Sequence, residues 1–249
     1  MKYLFASLCL LGSAVSAQDG FDPTGEEAER YMPKVIQVQV EYIEVPQETV
    51  LELLYGEKKS ANDSKLRDEL QKLLKEGKAT MMESQMVVSR SGERASAESI
   101  REYIYPTEYE PAEVPNKVDA SGEKTGEGVR KMATGPTPTA FETRNLGSTL
   151  EVEPTLSESA KIIDLWFAPE LVWHVKNEVW AEWRDDRGNA DVKMPIMYTL
   201  RVNTGLTMVA GRYHLACCLS PKDKDGFPDP TRKVMMFVKA DVLKVTSRN

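Results

Sequence analysis

TRNLGSTLEVEPTL (residues 143–156), followed at 162–167 by the apolar burst IIDLWF, decides how the second half of this chain folds. From Phe141 onward the sequence reads as nearly continuous strand. Val192, Met194, Ile196, Tyr198, Leu200 and Val202 alternate with Lys193, Pro195, Met197, Thr199 and Arg201 in one long period-two run. Trp173, Val175, Val179, Ala181 and Trp183 alternate in the same way with His174, Lys176, Glu178 and Glu182, and Asp185-Asp186-Arg187-Gly188 supplies a turn between the two runs. The expectation is a long antiparallel hairpin. Further strands are expected at 206–219 and 234–245, separated by the turn-rich stretch 220–231.

Upstream, Ile36, Val38, Val40 and Tyr42 occupy one face of a strand whose other face carries Gln37, Gln39 and Glu41, the pattern of a strand half facing a core. Pro46 ends it. Val50, Leu51, Leu53 and Leu54 then recur at helical spacing until Gly56, and a second helix carries Leu66, Leu70, Leu73 and Leu74 in one stripe before Gly77, with Ser60 and Asp63 placed as a variant capping box. A strand at 81–90, a Ser91-Gly92 turn and a weaker strand at 94–105 follow. Met81, Met82 and Met86 are read as core filling rather than as metal ligands. Between Pro106 and Thr139 the chain is rich in Pro, Gly and charge and poor in apolar residues, so a disordered loop is expected at 111–139. The fold class is α+β, predominantly antiparallel β, with two helices in the N-terminal half.

Lys2, the apolar run 3–12 and Val15-Ser16-Ala17 form a secretory signal peptide, expected to span 1–17 and to be cleaved after Ala17. Residues 18–33 read as a flexible leader and 34–249 as the domain. No later stretch is apolar enough for a membrane-spanning helix. Cys9 lies inside the signal peptide's apolar core and Gln18 would begin the mature chain, which gives no lipoprotein cleavage site. The formal charge of −7 (32 basic against 39 acidic residues) becomes more negative by one when Lys2 is removed, a balance opposed to nucleic-acid binding.

Cys217 and Cys218, the two cysteines left after processing, are adjacent and would point to opposite faces of a strand, so both are expected to be reduced packing residues. His174 and His214 with these cysteines offer no four-ligand zinc spacing. The run around Asp223, Asp225 and Asp229 lacks the terminal Glu of a calcium loop, and no hydrolase elbow, phosphate loop or HExxH is present. No catalytic residue, cofactor or metal is expected.

The order of these pieces resembles the C-terminal core domain of bacterial secretins, the ring-forming outer-membrane channels of type II and type III secretion and of type IV pili. VIQVQVEYIEV (35–45) is similar to the strand that opens that domain, and KEGKATMMESQMVVSRSGERASAE (75–98) to its helix, strand and Gly turn. Arg144, Gly147, Leu150, Val152 and Pro154 match its "vGvxLxVxPxi" motif. Ile163, Asp164 and Leu165 match the next strand, MPIMYTLRVNTGLTMVAG (194–211) the run after it, and VMMFVKADVL (234–243) the closing strand.

The family's lip-forming segment is replaced here by RYHLACCLSPKDKDGFPDPTRK (212–233), and little chain precedes Val35 for N-terminal ring-building domains. The resemblance implies a secretin core shortened at both ends. Its partners would be further copies of itself, or other secretion or pilus envelope proteins, with outer-membrane contact. It would reside in the periplasm or outer membrane of a Gram-negative-type bacterium. The alternative is a soluble periplasmic scaffold or binding module that keeps the fold without a channel. In that motif Arg144, Gly147 and Pro154 are expected to be structural, Gly147 for close backbone approach or a bulge and Pro154 for ending its strand.

Overall fold

The alternation expected at the start of the domain is realised in β1 (Lys34–Pro46) of the computed structural model, which describes residues 33–55, 62–113, 134–185 and 188–245. Ile36, Val38, Val40 and Tyr42 are fully buried on one face. The other face is covered too. Its Gln39 and Glu41, and then Ile43 and Val45, lie on the side occupied by two helices, α1 (Gln47–Tyr55) and α2 (Ser64–Lys75). Leu70 of α2 is fully buried, and Leu66, Leu73 and Leu74 pack with it against Ile43, Val45, Met235 and Phe237. Burying one such leucine contributes about 1.5–3 kcal/mol, enough to hold a short helix on a sheet.

The remaining strands are β2 (Thr80–Arg90), β3 (Ala95–Glu110), β4 (Thr137–Leu156), β5 (Ile162–Ala181), β6 (Arg184–Asp185), β7 (Gly188–Asn189), β8 (Val192–Arg201), β9 (Thr204–Val209), β10 (Tyr213–Leu219) and β11 (Arg232–Lys244). One sheet runs β10-β11-β1-β2 and the other β3-β4-β5-β8, with β9 beside β5. Between them lies the main core, in which Val38, Val40, Met236 and Val238 meet Val152, Leu165 and Phe167. Met235 and Phe237 point the other way, into the helices, so β11 is buried on both faces. The layers are therefore helices, first sheet, second sheet. This is the mostly antiparallel α+β class expected. Lys34–Leu243 forms one unit; the other comprises the chain ends, where the Val245 amide donates to the Pro33 carbonyl at 2.8 Å.

The expected hairpin is present as β5 and β8, paired antiparallel with Trp173 opposite Tyr198. Other expectations change. The 162–167 strand and the Trp173 run are a single strand of 20 residues. Pro169 is tolerated inside it because it falls opposite the break between β8 and β9, where the Val202 amide donates to its carbonyl at 3.1 Å. The strand expected at 206–219 is two, divided at Gly211 (φ +75°): β9 stays in the second sheet and β10 crosses to the first.

The loop expected at 111–139 is shorter among the described residues. β4 begins at Thr137, paired with Glu110, and Glu113 bridges Thr134, while register shifts beside Pro106 absorb the prolines that argued for a loop. Residues 114–133, the expected signal peptide, the leader apart from Pro33, Ser60 of the expected capping box and Asp186-Arg187 of the expected turn lie outside the described residues.

Two smaller readings are corrected. Asp63 precedes α2 but makes no side-chain cap; its carboxylate accepts the Leu215 amide at 2.8 Å, and its own amide donates to the Tyr213 carbonyl at 2.8 Å. The turn thereby covers part of β10, an edge strand. Met82 packs on the core, whereas Met81 and Met86 are exposed, because no residue of β2 joins the cluster beneath the helices and its outer face stays open.

Candidate assembly interface

Within the second sheet the ladder forks at Gly147. This residue sits opposite Ile100 of β3 and Val172 of β5, and it is the last β4 position paired with β5. Its φ of +125° is open to glycine, and a Cβ there would lie 2.2 Å from the Ser99 carbonyl oxygen. Beyond it β4 pairs only with β3, and β5 beyond Val172 pairs only with β8, so two two-stranded ribbons leave one sheet. A cleft of about 320 Å³ opens at the fork, between Ile100, Arg144, Glu170 and Val172. Arg144 and Arg201 both donate to one oxygen of Glu170, at 2.8 and 2.6 Å, joining β4, β5 and β8 across the fork.

The ribbons touch at two further places. The Tyr103 ring of β3 stacks on His174 of β5, with centroids 4.9 Å apart, and its hydroxyl donates to Asn177 Oδ1 at 3.1 Å. The His174 Nε2 lies 2.9 Å from the same oxygen. Near the tips Trp183 and Ala190 close on Gly135, where a Cβ would come within 2.9 Å of both side chains. Elsewhere the ribbons are solvated, and Ile104, Phe141, Val179 and Trp180 are exposed.

The segment 220–231 braces the second ribbon. The Tyr198 hydroxyl donates to the Ser220 carbonyl at 2.6 Å, and a Cβ on Gly226 would meet Val175 at 3.1 Å. Its carboxylates are engaged locally. Asp223 accepts the Asp225 and Phe227 amides, each at 2.9 Å. Asp229 is pushed down to about 2 by the hydrogen bond from the Thr231 hydroxyl and by Arg232. Arg232 in turn reaches Glu44 of β1. These acids shape a turn rather than a cation cage.

The residues singled out from sequence fall in separate places. Arg144 and Gly147 define the fork. Pro154 does not end its strand, which continues to Leu156; it is buried, and the β3 ladder has already ended at Ala95 and Val152, so the side where its N–H is missing faces only the Ser91-Gly92 turn. His174 lies in the ribbon contact, and His214, Cys217 and Cys218 lie on β10. Among the described residues no three His, Cys, Asp or Glu gather as a metal site would require. Cys217 joins the inter-sheet core and Cys218 the cluster under the helices. Both thiols are free; burial and the neighbouring Cys218 push Cys217 up to about 12.

His214 is buried, and its Nε2 has no partner among the described residues. Burial lowers its pKa, against a smaller opposing pull from Asp63. Because the folded pKa lies below the unfolded one, the unfolded chain binds the proton first, and stability declines as pH falls through the ordinary imidazole range. Urea midpoints at pH 7.5 and 5.5 should show a smaller acid loss in His214→Gln than in the parent, with one proton contributing at most about 1.4 kcal/mol per pH unit. Equal losses in both proteins would contradict this role.

No family model matches the chain, and no curated protein matches it. Solved structures do match, secretins among them. Aeromonas hydrophila ExeD is 11% identical, over 86% of this chain and 49% of that one, with a TM-score of 0.40. The type II secretion system secretin GspD of E. coli K12 is 9% identical over 86% and 50%, with a TM-score of 0.34. The Salmonella SPI-1 type III secretion injectisome secretin InvG is 9% identical over 88% and 64%, with a TM-score of 0.38. The chain spans about half to two thirds of these proteins' lengths. These are likenesses of fold with TM-scores below 0.5, and no property of those proteins passes to this chain through them.

Proposed function

We propose that this chain is an exported, secretin-like component of the cell envelope that assembles through its second sheet, with copies of itself or with other proteins of outer-membrane secretion or pilus assembly. The observation that supports this reading is the forked sheet. Among the described residues its outer strands β3 and β8 lack ladder partners on one side, and both ribbons are largely solvated. An isolated two-stranded ribbon is marginal in water, and long open edges invite pairing. Closing such edges into a multi-chain barrel removes them. No catalytic residue or cofactor enters this role.

The test is to express the full chain with its signal sequence in a Gram-negative host, fractionate the envelope and measure particle mass in mild detergent. Assembly predicts an envelope-associated particle of many chains. A freely soluble monomer extracted without detergent would reject assembly and favour the periplasmic scaffold.

A further inference from the structure

The segment 220–231 has a second face besides the one that braces the ribbon. With the start of β11 it walls a cavity of about 360 Å³ whose other sides are β1, β2 and β5. Trp173 and Met82 supply the apolar lining, and Glu44, Lys222, Asp223, Lys224 and Arg232 the charged one. Trp173 is half-buried, its ring tilted against Tyr198 with centroids 6.2 Å apart. Backbone bonds fix the wall. The Asp229 amide donates to the Pro221 carbonyl and the Asp223 amide to the Phe227 carbonyl, each at 2.7 Å, and Arg232 Nη2 donates to the Lys222 carbonyl at 2.8 Å.

The charges of the lining are unequally committed. Glu44 is held by Arg232, whose Nε is taken by Asp229, and the Asp223 carboxylate accepts the Asp225 and Phe227 amides. Among the described residues Lys222 and Lys224 have no ion-pair partner. Three cations against two carboxylates leave the lining one positive charge in excess. A monoanion balances that excess, whereas a dianion such as phosphate exceeds it and is repelled by Glu44 and Asp223. The apolar wall beside the lysines selects a molecule that carries an apolar group next to its charge.

The geometry points to a binding site for an organic monocarboxylate on an aromatic or aliphatic body, with the carboxylate at Lys222 and Lys224 and the body against Trp173 and Met82. The volume is near the lower end of ligand cavities and accommodates one large side chain with its carboxylate. The C-terminus of a peptide and a short fatty acid both present that chemistry. The site is built within one chain, so it stands or falls separately from the assembly proposed above.

Calorimetry of the full chain with acetyl-Gly-Gly-Phe, its C-terminal amide, octanoate, acetate and inorganic phosphate tests this. At least one of the two larger acids should bind about tenfold more tightly than the amide, acetate or phosphate, and Lys222→Gln with Lys224→Gln should remove that advantage. Binding of the tripeptide acid alone assigns the site to protein C-termini, and binding of octanoate alone to fatty acids. Equal binding of acid and amide, equal or tighter binding of acetate or phosphate, or no binding of either larger acid at about 10 mM overturns the site. So does a folded double-lysine variant that binds like the parent. Should that variant not fold, salt gives the same reading: raising NaCl from about 50 to about 500 mM should weaken the bound acid several-fold, and an acid indifferent to salt is not held by the lysines.

Discussion

Arg67→Met lowers the unfolding free energy by about 3–5 kcal/mol, whereas Arg67→Met combined with Glu41→Leu recovers most of that loss. Arg67 on α2 and Glu41 on β1 are 7% and 4% exposed and form an ion pair between helix layer and sheet. Each has further support. Gln39 donates to Glu41 at 2.7 Å, Arg67 donates to Gln71 at 3.0 Å, and the guanidinium lies 5.6 Å from the Tyr213 ring centroid.

Removing one partner leaves a charge with its solvent gone and its counter-ion absent, which is the expensive case. Removing both lets an apolar pair join Ile43 and Leu70, where the desolvation penalty disappears with the charges. Urea unfolding of the two single variants and the double variant measures the coupling. Single losses below about 1 kcal/mol would mean that the pair is hydrated and contributes as a surface pair does.

That pair also marks where sequence reading stops. Ile36, Val38, Val40 and Tyr42 declared a buried face, and they are buried. Gln37, Gln39 and Glu41 declared a polar face, but polarity does not say whether water or a helix lies over it. A signal was available in the helix: Arg67 stands beside Leu66 and three residues before Leu70, on the stripe that must face the sheet. An arginine there, facing a strand with a glutamate on its polar side, needs a partner.

Strand continuity escapes a local pattern for a related reason. A proline reads as the end of a strand, yet Pro154 and Pro169 sit where no ladder bond is owed, a fact set by neighbouring strands far away in sequence. The change of sheet at Gly211 is equally invisible in the sequence, because 206–209 and 213–219 both read as strand. At the candidate interface, the hairpin and the importance of Arg144 and Gly147 were legible from pattern and resemblance. The fork was not, since it depends on where the β4–β5 ladder stops. The stacking of Tyr103 on His174 joins residues 71 positions apart and leaves no local trace.

Gly147→Ala should cost roughly 3–5 kcal/mol, more than the same substitution at any other described glycine turn, and the loss should fall first on the ribbons. Two effects add. A φ of +125° belongs to backbone that side chains avoid, worth about 1–3 kcal/mol. The new Cβ would also stand 2.2 Å from the Ser99 carbonyl oxygen. That oxygen belongs to β3 backbone and moves only if the β3–β4 ladder shifts at Ile100, the position from which the first ribbon extends.

Gly211→Ala separates the two effects. Its φ of +75° is also left-handed, but the nearest atom to a Cβ there is the Asp241 carboxylate at 3.6 Å, so only the strain of about 1–2 kcal/mol applies. Urea melts of the two variants, with hydrogen exchange across 100–110 and 137–146, distinguish them. Gly147→Ala should accelerate exchange along both strands of the first ribbon, and Gly211→Ala should leave it unchanged. If the two substitutions cost the same and the ribbon amides stay protected, close approach at the fork is not what glycine serves there. If ribbon protection is lost while the β1 and β11 amides hold, the fork is the point at which the fold transmits order to the edges that would carry assembly.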